Sequence, residues 1–115
     1  MSKLLIPSTH YDEVLLAYSD CHEREGYGER NLNFKATQKV SRDTAVDIMT
    51  IAVPHGYNEF KASHLQKLPG NAVITIAREY SVCIYVEGQV KRVPGMKADE
   101  WSYDPATNET RIWWD

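Results

Sequence analysis

Hydrophobic positions along this chain change period part-way. Between His10 and Glu25, Tyr11, Val14, Leu15, Tyr18 and Cys21/His22 recur at helical spacing. That pattern predicts an amphipathic helix with one apolar face, with Thr9 and Asp12 as a capping box and Gly26 as the stop. A loop rich in Gly and Asn is expected from Gly26 to Gln38. A second helix is expected from Ser41, as cap, to about Val53, where Pro54 ends it. Its buried stripe is Ala45, Ile48, Met49 and Ala52, with Val46 and Val53 at the edge. After the turn residues His55-Gly56, Ser63-His64-Leu65-Gln66 is expected to cap a short helical turn that stops at Pro69-Gly70.

Beyond Ala72 the period falls to two. Ala72 to Arg78 and Val82 to Val86 read as strands joined at Arg78-Glu79-Tyr80-Ser81. Glu87-Gly88-Gln89 reads as a turn, followed by a strand from Val90 to Val93 that Pro94-Gly95 stops. Trp101 and Tyr103 alternate with polar residues, residues 104–108 form a turn, and Thr110 to Trp114 is the last strand. Across the final pair, Trp101, Tyr103, Ile112 and Trp114 are expected on one core face, leaving Trp113 on the other. Helices first and a meander after them predict an α+β fold, with N-terminal helices packed on a C-terminal antiparallel sheet of about four to five strands.

Size and composition fit that picture. The 115 residues suffice for a single domain, residues 1–115, with one modest core. Hydrophobic content of 43% beside 25% charged residues is that of a globular chain. No apolar run approaches the roughly 18 residues that a membrane helix needs. The N-terminal residues have too short an apolar stretch for a signal peptide, so a cytoplasmic protein with reduced thiols is expected, without membrane partners. The net charge of −3 argues against bulk electrostatic binding of nucleic acid.

Candidate chemistry is sparse. Cys21 and His22 are adjacent on a helix and point about 100° apart, so they cannot pair with each other. Cys83 sits inside an apolar strand, where core packing is the expected role. Two distant cysteines and four scattered histidines lack zinc-ligand spacing, and Gly26 and Gly28 precede Glu29-Arg30 rather than a phosphate-loop pattern. No metal and no cofactor are expected. Lys35, Lys39 and Arg42 read as a solvated loop and helix start. One nucleic-acid arrangement has shape: two helices around Pro54-His55-Gly56 as a helix-turn-helix. Lys61, His64, Gln66 and Lys67 would lie on the second helix, and Lys91-Arg92 on a wing. Asp43, Asp47 and Glu59 oppose it.

The chain from His64 to the end resembles the C-terminal half of small papain-like cysteine peptidases of bacterial and viral genomes. Leu68-Pro69-Gly70 is similar to that family's turn before a strand, and Glu87-Gly88 to its later turn. Trp101-Ser102-Tyr103-Asp104 falls where an Asp-Thr-aromatic-Asp stretch stands, and Tyr11-Asp12-Glu13-Val14 resembles the opening of a family helix. The resemblance implies a papain-like fold with the chemical positions vacated. No Cys precedes Tyr11. The base position falls on Tyr80, whose ordinary pKa of about 10 bars it from deprotonating a thiol at neutral pH. The position of the orienting Asp falls on Trp101.

These observations lead to the expectation of a protein that is not an enzyme. It would be a non-catalytic accessory or inhibitor module that binds a protein partner, with the family likeness implying viral or mobile-element origin. Trp113, Trp101 and Tyr80 are the candidate contact residues. A winged-helix-like DNA-binding regulator is the alternative, and a residual cysteine hydrolase using Cys21 with a distant His is the second alternative.

Overall fold

A computed structural model describes Val14, residues 33–54, Gly56 and residues 59–114. The expected helix over residues 10–25, with its cap and stop, lies outside the described residues except at Val14. That residue is helical and fully buried in the core.

From residue 33 onward the elements are strands β1 (Phe34–Lys35) and β2 (Val40–Ser41), then helix α1 (Arg42–Ala52) and a 3-10 helix at Ala62–Lys67. Strands β3 (Val73–Arg78) and β4 (Val82–Glu87) follow, then a short 3-10 turn at Pro94–Met96, β5 (Glu100–Asp104) and β6 (Glu109–Trp113). Among the described residues the fold is α+β, with one main helix and a six-stranded antiparallel sheet ordered β1-β3-β4-β6-β5, β2 also pairing with β3.

Helix α1 follows directly from its sequence. The Ser41 hydroxyl accepts the Thr44 N–H at 3.2 Å, satisfying a donor that the first turn leaves free. Ala45, Ile48, Met49 and Ala52 are its buried residues, as the periodicity predicts. Full burial of Ile48 and Met49 stabilises the fold by about 1.5–3 kcal/mol each. The chain then turns at Val53, whose N–H still reaches Met49 O, and Pro54 prevents another turn.

Four differences from the sequence expectations matter for the site. The loop expected up to Gln38 contains β1, and Val40–Ser41 is β2. Both pair with the same edge of β3, Phe34 opposite Arg78 and Val40 opposite Ile74. Between the two pairings residues 36–39 stand opposite only Thr75 and Ile76, with the Ala36 N–H still donating to Ile76 O at 2.8 Å, and strands of two residues are too short to show a period.

The 3-10 helix carries no side-chain cap from Ser63. Lys61 occupies the cap position, and its N–H donates to His64 Nδ1 at 3.2 Å.

Residues Val90 to Val93 form no strand. The Val90 N–H donates to the Thr110 hydroxyl at 3.0 Å, and that hydroxyl donates to Gly88 O at 2.7 Å, so side chains replace the ladder partners. In consequence the sheet is not a simple meander. Strands β4 and β5 both run antiparallel to β6, which lies between them, so residues 88–99 form a crossover. The crossover lies on the core face: the Trp101 indole donates to Val90 O at 2.8 Å and the Trp114 indole to Met96 O at 2.7 Å.

Core and outer faces of the sheet follow from register. Ile74, Ile76, Val82, Ile84, Val86, Ile112 and Trp114 belong to the buried cluster that α1 covers. Trp114 is its keystone, fully buried with its ring 4.8 Å from Phe60 in an edge-on contact.

Candidate functional site

The residues of the opposite face line up in two rows. The first runs Lys35, Ala77, Cys83, Trp113, Glu100 across β1, β3, β4, β6 and β5. The second runs Thr75, Tyr85, Arg111, Ser102. Each row sets chemically different side chains about 5 Å apart, the spacing of cross-strand neighbours.

Above the first row sits the β3–β4 turn. The Glu79 N–H donates to Ser81 O at 2.9 Å, closing the loop around Tyr80. Tyr80 has φ of +66° and is 65% exposed. A tyrosine in this left-handed region is uncommon, because its Cβ crowds the following carbonyl. Its backbone N–H donates to the Asn33 side-chain oxygen at 2.9 Å, which ties the tip to the residue before β1.

Glu79 folds back from the turn across the outer face. Its carboxylate accepts the Tyr85 hydroxyl. It also accepts Nε and Nη2 of Arg111 at 2.9 and 2.6 Å. Nη1 of Arg111 reaches Glu100 at 2.7 Å, so one guanidinium bridges the turn to β5. The Trp113 indole N–H donates to Glu79 O at 2.8 Å, and the Arg111 guanidinium lies 6.0 Å from the Trp113 ring centre. Lys35 lies 4.0 Å over the Tyr85 ring and pairs with Glu109 at 3.3 Å. An open groove of about 530 Å³ runs between these groups, with Phe34, Tyr80 and Trp113 as aromatic walls and Glu79, Glu100 and Arg111 as charged ones.

Electrostatics fix each group in one protonation state. Burial pushes the Glu79 carboxyl up, but hydrogen bonds from Tyr85 and Arg111 outweigh it and hold the pKa below the usual range. Burial opposes the charge of Arg111, while Glu100 and Glu79 hold the proton more strongly still, so its pKa rises. Tyr85 is raised by burial and by its bond to Glu79. Burial, then the Glu79 charge, pushes the Cys83 thiol up to about 12. None of the four is poised to exchange a proton near neutrality.

The candidate contact residues are partly brought together. Tyr80 and Trp113 flank the same groove. Trp113 is half-buried and hydrogen-bonded rather than freely exposed. Trp101 stands on the core-face side of β5 and packs against the core. The nucleic-acid candidates fall elsewhere. Lys61, His64, Gln66 and Lys67 lie on or beside the 3-10 helix, not on a second α-helix. Burial lowers the His64 pKa first, then the nearby charges of Lys97, Lys61 and Lys67. Lys91 is exposed on the crossover, and Arg92 donates to Ala98 O and lies 5.9 Å from the Trp101 ring centre. No wing hairpin forms there, since β4 continues into the crossover.

Cys83 is buried with a free thiol, in keeping with a packing role. Cys21 lies outside the described residues. Lys35, Lys39 and Arg42 form no common patch: they pair with Glu109, with Glu87 at 2.7 Å, and with Leu68 O at 2.9 Å. Among the described residues no group of three His, Cys, Asp or Glu side chains is placed to hold a metal ion, and no helix is long and apolar enough to cross a membrane.

Sequence reasoning missed Glu79, Tyr85, Glu100 and Arg111. The available signal was the alternation in Val82–Glu87 and Glu109–Trp113, which puts Tyr85 and Arg111 on the same side as Trp113. Their pairing needs the strand order, which periodicity does not contain. Comparisons with family models, with curated proteins and with solved structures return no match for this chain.

Proposed function

We propose that this chain is a non-catalytic binding module that engages a protein partner through the β3–β4 tip and the groove beneath it. The observation that carries this reading is Tyr80. A large aromatic is held at φ +66° with 65% of its surface in water, at a position where Gly or Asn would be relaxed. The turn's bond to Asn33 is made by the Tyr80 backbone and needs no aromatic side chain. An exposed aromatic beside a half-buried tryptophan is the composition of an interface anchor.

The groove supports the same reading. Its charged groups are already paired and held in single protonation states, which suits recognition rather than proton transfer. The Glu79–Arg111–Glu100 bridge and the Trp113–Glu79 bond make the surface rigid, so little ordering entropy is lost on binding.

The test is a pull-down from native lysate with wild-type chain and Tyr80→Gly, each with and without nuclease. Tyr80→Gly is expected to relax the backbone and retain the fold, which thermal unfolding of the variant checks. A stoichiometric, nuclease-resistant protein captured by the wild type and lost from the variant is the expected result. Equal capture by both, or recovery of nucleic acid alone, overturns the proposal.

A further inference from the structure

Strand β5 ends the sheet. Among the described residues no strand pairs with its outer edge, so alternate N–H and C=O groups over Glu100–Asp104 face away from β6 without a ladder partner. Such an edge is normally blunted by lysine, proline or a bulge, to stop it pairing with another chain. The opposite edge shows that protection: β1 and β2 are two residues each, with residues 36–39 bulged between them. Strand β5 has five residues, Glu-Trp-Ser-Tyr-Asp, without lysine, proline or glycine.

Its charges select the occupant. Glu100, Ser102 and Asp104 are exposed, while Trp101 and Tyr103 are half-buried toward the core side. In a two-fold antiparallel pairing of two copies centred on Ser102, Glu100 of each copy faces Asp104 of the other. Like charges directly opposite are destabilising, so the edge resists self-pairing. An extended segment with a cation at each of those positions meets both carboxylates instead. Glu100 keeps more than half of its side chain in water beside Arg111, and Asp104 is exposed at the head of the β5–β6 turn, so both remain accessible.

Resting on the reading of this chain as a protein-binding module, we infer that the outer edge of β5 accepts an extended basic segment of the partner as an added strand. Main-chain hydrogen bonds supply attraction. Lys or Arg side chains spaced four residues apart, opposite Glu100 and Asp104, supply selectivity. Small β-branched residues between them lie beside Trp101 and Tyr103.

A capped heptapeptide, Thr-Lys-Val-Thr-Val-Lys-Thr, is the probe. Its palindromic order presents the same side chains in either strand direction. Amide hydrogen exchange and chemical shifts of the full chain report where it binds. The expected result is slowed exchange confined to residues 100–104 and their neighbours on β6. Replacing both peptide lysines by glutamate, or using the chain with Glu100→Lys and Asp104→Lys, is expected to weaken binding about tenfold or more. N-methylation of the peptide amides that face β5 is expected to abolish it.

Absence of protection at residues 100–104 at millimolar peptide, or undiminished binding of the glutamate or N-methylated peptide, overturns the inference. So does protection of this edge in the chain alone with a doubling of mass in solution, which would assign it to a second copy. The two proposals separate cleanly. If Tyr80→Gly still loses the captured protein while the peptide leaves β5 unprotected, the binding module stands and the strand-addition mode falls.

Discussion

Arg111 holds Glu79 through two donors, Nε at 2.9 Å and Nη2 at 2.6 Å, across 32 positions of sequence. This pair ties the β3–β4 turn to the middle of β6. With Nη1 on Glu100 it makes the outer face one connected unit from turn to edge strand. One guanidinium therefore touches both the groove and β5, beside the ladder that joins β5 to β6.

Glu79→Gln removes the carboxylate that accepts Tyr85 and Arg111. The Glu79 and Arg111 side chains are about a third exposed or less, at 33% and 27%, so solvent screens part of the loss. The expected destabilisation is about 1 kcal/mol, read by urea unfolding at neutral pH. The folded-state pKa of Glu79 lies below its ordinary 4.5, so its contribution is complete above that value and disappears as pH falls through the lower folded value. The wild type is expected to lose stability on that acid limb more steeply than Glu79→Gln. Parallel limbs would show that the pair contributes nothing.

Cys83 has the opposite sign. Its thiol is raised to about 12 from 9.0, so the unfolded chain ionises first and stability falls as pH rises from 9 towards 12. Cys83→Ala is expected to make the alkaline limb shallower. In a Cys21→Ser background, the native thiol is expected to resist a disulfide reagent near neutral pH and to react on unfolding. Rapid native reaction would contradict its burial.

Tyr80→Gly is expected to raise stability by about 1 kcal/mol, since a left-handed residue without Cβ loses the steric penalty. Thermal unfolding measures it. A decrease would mean that the Tyr80 ring contributes packing greater than its strain, and would remove the reason for reading it as a contact residue.

Trp114→Phe keeps an aromatic ring against Phe60 but leaves Met96 O without its indole donor in a fully buried site. The expected loss is about 1–3 kcal/mol, and Trp114→Ala is expected to cost about 3–5 kcal/mol. Chemical denaturation gives both. Near-equal stability of Trp114→Phe and wild type would show that the crossover is not fastened through this bond.

Ser41→Ala removes the cap of α1 and is expected to cost about 1 kcal/mol, read in the same unfolding assay. Substituting Ser63 is expected to leave stability nearly unchanged, because its hydroxyl does not cap the 3-10 helix.

Much of the fold was legible in the chain because local rules decide it. The stripe Ala45, Ile48, Met49, Ala52 and the Ser41 cap define α1 without reference to any other element. The β3–β4 hairpin is equally local, two alternating runs joined at the turn where Tyr80 sits. Even the division of faces on the last two strands, Trp114 inward and Trp113 outward, follows from a period of two.

The site was not legible, because it is made from strand order and register. Val90 to Val93 has the composition of a strand, yet Thr110, 20 positions later in the chain, accepts its N–H and turns the segment into a crossover. That crossover inserts β6 between β4 and β5. Arg111 thereby comes within reach of both Glu79 and Glu100, and among the described residues β5 is left at the edge with its acidic pair outward.

Sequence determined which residues face the core, where α1 begins and where the chain turns, since each of these depends on side chains within a few positions of one another. Tertiary structure alone decided which strands are neighbours. With that order came the partners of Arg111 and Lys35 on the outer face and, among the described residues, a long edge left open at β5, because backbone pairing energy is nearly the same for any two strands and only global packing chooses between them.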